Sequence, residues 1–120
     1  MKIQEKFDLT GRVAVVTGGV GLLGAEFCKT LAEAGAAVAV VDLNGAVAEK
    51  VAAGLVADGY RAIAAPTDIT KPESVNAMVE TVVKEFGRLD ILVNSAALDP
   101  KFDPDAAAKG IAPGAFEDYP

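Results

Sequence analysis

The residues whose types and spacing carry most chemistry lie near the start of the chain, in "VTGGVGLLG" from Val16 to Gly24, with four glycines among nine residues. The stretch follows the apolar run "GRVAVVTG" and precedes "AEFCKTLAEAG". Gly19, Gly21 and Gly24 read GxGxxG across a strand-to-helix turn. Phosphate recognition at such a turn needs a tight bend, backbone without Cβ where a pyrophosphate touches it, and close helix-to-strand packing one turn later. Asp42 ends the next β-rich run 18 residues after Gly24, where a carboxylate could accept hydrogen bonds from the hydroxyls of an adenosine ribose. A carboxylate there repels the extra phosphate of NADP, and "DLNG" offers no Arg or Lys to welcome it, so the pattern favours NAD over NADP. A plainer reading of Asp42, a turn former at a strand end, stays open.

Such residues need elements to hold them. Three runs, "RVAVVT", "AAVAVVD" and "LDILVN", are apolar on both faces, the signature of parallel strands covered by helices on either side. A fourth, "YRAIAAPTD", reads as an edge strand, because Pro66 cannot donate a ladder hydrogen bond. Between them, Leu23, Phe27, Leu31 and Ala34 recur at helical spacing up to Gly35, and an alanine-rich helix runs from about Gly45 to Asp58. Val75, Met78, Val79, Val82 and Phe86 form a third helical series that stops at Gly87. Thr70-Lys71-Pro72-Glu73 predicts a capping box before that helix, with proline early, where its missing N–H does no harm. The order β-α-β-α-β-α-β predicts an α/β fold: a three-layer, doubly wound, Rossmann-like parallel sheet with strand order 3-2-1-4. Residues 1–120 are expected to form one domain, with 97–120, broken by three prolines before the last residue and two glycines, as an irregular loop or tail.

Composition narrows the partners. With 52% apolar and 23% charged residues, 120 residues suffice for one small core. A net charge of −6 argues against a nucleic-acid or anionic-lipid surface and leaves a small-molecule dinucleotide as the expected partner. One cysteine and no histidine rule out an internal disulfide and the usual metal and imidazole constellations, so no metal site is expected. Cys28, among apolar neighbours of a predicted helix, reads as core packing rather than a reactive thiol. No apolar run approaches the roughly 20 residues that span a bilayer, and "MKIQEKFDLTG" lacks a signal-peptide core, so a cytoplasmic location is expected.

Four motifs now stand in order: Thr17-Gly18 with the glycines after it, "VVDLN" from Val40 to Asn44, "DIT" from Asp68 to Thr70, and "FGRLDILVNSAA" from Phe86 to Ala97. Together they resemble the N-terminal half of a short-chain dehydrogenase/reductase, over about Phe7 to Ala97. The resemblance implies that Gly18, Gly19, Val20, Gly21, Leu22 and Leu23, with Gly24, lie along the pyrophosphate, and that Asp42, with Leu43 beside it, selects the cofactor. It also implies that Asp68 and Ile69 meet the adenine, and that Asn94, Ser95 and Ala96 line the strand beneath the adenosine. For Asp68 a lesser alternative stays open, a helix N-terminal charge answering the macrodipole, and Asn94 is expected to be half structural, holding neighbouring backbone. The sequence departs from the family's common single-domain pattern, TGxxxGxG, by reading TGxxGxxG, with Leu22 where the middle glycine stands. That spacing is similar to the family's sugar-nucleotide-modifying branch, whereas "LVNSAA" is similar to the "NNAG" of the single-domain branch over a longer stretch.

Hydride transfer in the family relies on a Ser, a Tyr and a Lys four residues after the Tyr. No YxxxK exists here: Tyr60 is followed four residues later by Ala64, and Tyr119 by the end of the chain, so both tyrosines read as structural and no catalytic residue is assigned. The expectation is the cofactor-binding part of an NAD-dependent oxidoreductase acting between an alcohol and a ketone, which binds without catalysing. The alternatives are a free-standing nucleotide-binding regulatory module and a self-associating chain without activity. The outer edge of "LDILV" is expected to be unpaired, which predicts a homo-oligomer.

Overall fold

The computed structural model describes residues 2–95. A short helix, α1 (Ile3–Lys6), precedes β1 (Val13–Thr17), α2 (Leu22–Glu33), β2 (Ala37–Asp42), α3 (Gly45–Ala57), β3 (Ala62–Pro66), α4 (Pro72–Phe86) and β4 (Ile91–Asn94). Every strand pairing is parallel and the sheet order is β3-β2-β1-β4, as the alternation of elements predicts. α1 has no apolar face to announce it: none of its residues is buried. The expected tail, 97–120, lies outside the described residues.

Helices cover the two faces unequally. On one face Cys28 and Ala32 of α2 and Ala48, Ala52 and Leu55 of α3 pack on Val16, Val38 and Val40, with Tyr60 against their rim. On the other, Met78 and Val82 of α4 pack on Val13, Val15, Ala39, Val41 and Ala65. Burial from both sides is why β1 and β2 read as unbroken apolar runs, and each fully buried valine contributes on the order of 1.5–3 kcal/mol. Cys28 is fully buried here, and loss of solvent pushes its thiol up to about 11, so it is packed as a small apolar group.

The predicted capping box does not form. Lys71 occupies the cap position of α4 without a side-chain bond, and Pro72 takes the first turn as expected. Thr70 instead turns back: its N–H and hydroxyl donate to Asp68 Oδ1 at 3.0 and 2.5 Å. A charge-assisted bond to a carboxylate two residues away thus holds the hydroxyl that a capping box would turn toward a backbone N–H of α4. At the other end of α4, Gly87 stops the helix in the left-handed conformation, φ 83°.

β4 is attached to β1 by a clamp no local pattern reveals. Asp90 accepts the Val13 N–H through Oδ2 at 2.9 Å, and its other oxygen accepts from Arg88 at 2.6 Å and pairs with Arg12 at 3.5 Å. The Arg88 bond holds the Asp90 carboxyl below its ordinary value. This joins the starts of two strands 77 residues apart and sets the register that brings their far ends together.

Candidate functional site

With strand order β3-β2-β1-β4, chain direction reverses its progress across the sheet between β1 and β4, and open α/β sheets bind ligands at the carboxyl ends of strands beside such a point. A groove of about 370 Å³ lies there, and it draws residues from the end of every strand. Gly18, Val20 and Gly21 follow β1; Val41, Asp42 and Leu43 end β2; Thr67 to Thr70 follow β3; Ser95 follows β4.

The glycine turn divides into residues that support and residues that face the groove. Gly18, at φ 67°, makes the bend, a backbone state that side chains rarely adopt. Gly19 lies beneath, where a Cβ would stand 2.8 Å from Val40 Cγ1 and 3.4 Å from Cys28 Sγ. Gly24, inside α2, is tighter still, since a Cβ there would lie 1.9 Å from the Gly18 carbonyl oxygen. Gly21 differs from both: a Cβ there would meet only the Gly18 oxygen, at an ordinary 3.4 Å. Nothing in the described chain requires Gly21 to be bare.

Leu22 and Leu23 start α2 and are 92% and 68% exposed; they lie at the turn without lining the groove. The first amides of a helix lack partners within it, and here Ala25 is the donor that reaches back to Gly21, at 2.8 Å. With no side-chain cap on α2, the amides of Leu22, Leu23 and Gly24 form a partial positive pole beside the groove. Among the lining residues there is no Lys or Arg. Among the described residues, what this turn offers an anion is therefore backbone amide rather than a cationic side chain.

Two carboxylates border the groove. Asp42 Oδ1 accepts the Asn44 N–H at 3.0 Å, and the Asp42 carbonyl accepts the Thr67 N–H at 2.9 Å, which ties the ends of β2 and β3 together. Asp68 is held by Thr70, whose hydroxyl lowers the carboxyl below its ordinary value, while its own N–H donates to Ser74 Oγ at 2.9 Å. Leu43 and Ile69 stand exposed, at 74% and 42%, so the groove offers two apolar side chains beside two acids.

Of the residues singled out in the sequence, Gly18, Val20, Gly21, Asp42, Leu43, Asp68, Ile69 and Ser95 converge on one groove. Gly19 and Gly24 are beneath it, and Asn94 is beside it as a brace: its Oδ1 accepts from the Thr17 hydroxyl at 3.5 Å. Ser95 also braces, giving its hydroxyl and its N–H to the Thr17 carbonyl. Ala96 lies outside the described residues. Val41, Thr67 and Thr70 also line the groove, and none of them is among the candidate site residues read from the sequence. Their signal was positional: each sits at the carboxyl end of a strand already marked as a neighbour of the glycine turn.

Residues 12–116 match the family model for short chain dehydrogenases, and the chain belongs to that family. A short chain dehydrogenase/reductase of Aspergillus oryzae is 44% identical over 104 residues, covering 86% of this chain and 40% of its own length. D-threitol dehydrogenase of Mycolicibacterium smegmatis is 42% identical over 100 residues, 82% of this chain and 38% of that protein. The chain thus spans about two fifths of these curated relatives. Among solved structures, a 7α-hydroxysteroid dehydrogenase complexed with NADH and 7-oxo glycochenodeoxycholic acid superimposes with a TM-score of 0.78 at 32% identity, covering 92% of this chain and 45% of that one. Among the described residues no helix is long and apolar enough to cross a membrane.

Proposed function

We propose that the groove holds the adenosine and pyrophosphate of a nicotinamide dinucleotide, NAD in preference to NADP. The observation that carries this reading is Gly21: its missing Cβ relieves no internal crowding, yet the residue lines the groove next to the free amides of α2. A pyrophosphate laid across Gly18 to Gly21 would take hydrogen bonds from the helix start, and its charge would meet the positive end of the dipole. Leu43 and Ile69 would flank the adenine, Asp68 would face its edge, and the free oxygen of Asp42 would accept from the ribose hydroxyls. Gly19, Leu22, Leu23, Gly24, Asn94, Ser95 and Ala96 shape the walls and ends of this site.

The nicotinamide supplies a hydride donor or acceptor when bound, and we assign to the whole protein hydride exchange with an alcohol or ketone. These 120 residues contain no YxxxK, and the chain by itself is assigned cofactor binding rather than turnover. NADH held by the solved 7α-hydroxysteroid dehydrogenase, an alignable relative, supports the cofactor class. Support for self-association comes from β4, which among the described residues is at the sheet edge, with Leu92 56% exposed.

Titration of the chain with NADH and with NADPH, followed by nicotinamide fluorescence, tests the reading. The expected result is saturable binding that favours NADH. Asp42→Ala should lower that preference about tenfold to a hundredfold, the worth of hydrogen bonds to a charged group. Equal affinity for both cofactors, unchanged by Asp42→Ala, would contradict it.

A further inference from the structure

Asp42 can choose between two dinucleotides only if its carboxylate is held where the ribose arrives. Its side chain lies at the mouth of the groove beside Leu43, which is 74% exposed and gives it little lateral support. What holds it is the next residue but one. The Asn44 N–H donates to Asp42 Oδ1 at 3.0 Å, and among the described residues Oδ2 has no hydrogen-bond partner. Asn44 is itself locked: its side-chain oxygen accepts the Val47 N–H at 3.2 Å and its carbonyl accepts the Ala48 N–H at 3.0 Å, so it is the N-cap of α3. The following residue, Gly45, sits so close to Pro66 that a Cβ would approach its ring to 3.1 Å, which presses the turn against the end of β3. One residue outside the groove lining therefore links a helix start, a strand end and a carboxylate.

We propose that Asn44 is a positioning residue for cofactor choice, fixing the Asp42 carboxylate through its backbone N–H while its own side chain fixes the backbone that carries that N–H. The inference rests on the assignment of Asp42 to the ribose. With Oδ1 tied, Oδ2 is presented to the ribose in one orientation, and the carboxylate cannot rotate away from a 2′-phosphate. Untied, it would have to be ordered again when NADH binds and could withdraw when NADPH binds. Loss of the tie thus weakens NADH and strengthens NADPH.

The test compares the ratio of NADH to NADPH affinity in the full chain and three variants, with thermal melting recorded on each. Asn44→Ser keeps both the N–H and a capping oxygen and should keep the ratio. Asn44→Ala loses the cap oxygen and should lower the ratio about threefold to tenfold, the cost of ordering one freed side chain on binding. Asn44→Pro removes the N–H itself, at a φ of −81° that proline nearly matches, and should lower it at least as far. If the proline variant does not fold, the serine and alanine variants decide. Should the unmodified chain prefer NADH while alanine and proline weaken both cofactors equally, Asn44 is a helix cap only and the inference fails alone. An unmodified chain that binds neither cofactor, or both equally, overturns the assignment of Asp42 and the inference with it.

Discussion

Gly21 and Gly24 are three residues apart in one turn, yet a Cβ would lie 3.4 Å from the Gly18 carbonyl oxygen at the first and 1.9 Å at the second. The outer glycine is bare where the chain itself would accept a side chain, and the inner one is bare because α2 crosses the end of β1 at contact distance. The same residue type therefore answers two demands. At Gly24 the demand comes from the fold; at Gly21 the described chain makes none, and the proposed demand is that of a bound pyrophosphate.

The comparison breaks most visibly at Gly24. An alanine is a better helix former than glycine by about 1 kcal/mol, so propensity alone would make Gly24→Ala stabilising. The clash reverses the sign: overpacking of this severity costs about 3 kcal/mol or more, which at roughly 4–8 °C per kcal/mol for a domain this small is a fall in Tm of more than about 10 °C. Melting followed by circular dichroism checks it. A variant as stable as the parent would mean that α2 does not sit so close to β1.

A smaller effect is expected at the opposite end of β1, where Asp90 serves the fold alone. Asp90→Asn should lower Tm at pH 7 while leaving nucleotide affinity unchanged. Because the Arg88 bond depresses the Asp90 carboxyl, its stabilisation is complete above the unfolded value of 3.8 and is lost as pH falls through the lower folded value. The gap between the two proteins in a pH series of melts should therefore close below about pH 3.8. A gap that stays constant would assign Asp90 no charge-dependent role.

The smallest effect on stability belongs to Gly21→Ser. Gly21 is the N-cap of α2 and serine caps at least as well, so stability should stay within a few tenths of a kcal/mol of the parent, or rise. A large fall would mean the fold, after all, needs this glycine.

How far these demands were legible in the sequence follows from their range. Runs such as "AAVAVVD" declare strands buried on both faces, and the break at Gly87 declares a helix end, because both are local consequences of side-chain chemistry. The strand order followed from handedness rules applied to that alternation. The Asp90 clamp was invisible, since its partner Val13 is 77 residues away. The spacing of Thr70 to Glu73 fits a cap, but spacing does not say that Asp68 holds the same hydroxyl. The glycines were legible as a motif and illegible as individuals: only the positions of Val40, Cys28 and the Gly18 oxygen separate those that support the turn from the one that faces the groove. Val41 and Thr70 belong to motifs and Thr67 to none, but that all three line the groove emerges only when the ends of β2 and β3 are seen side by side.

Calorimetric titration of ADP-ribose into the chain and into Gly21→Ser asks whether the bare Gly21 receives a pyrophosphate, because this ligand carries the adenosine and pyrophosphate without the nicotinamide. Saturable binding by the parent is expected, with a loss of about fivefold to a hundredfold in the variant, the effect of a steric intrusion of about 1–3 kcal/mol, and both proteins equally folded. Absence of saturable heat with the parent, or equal affinity in the two, would contradict the assignment of this groove to a dinucleotide.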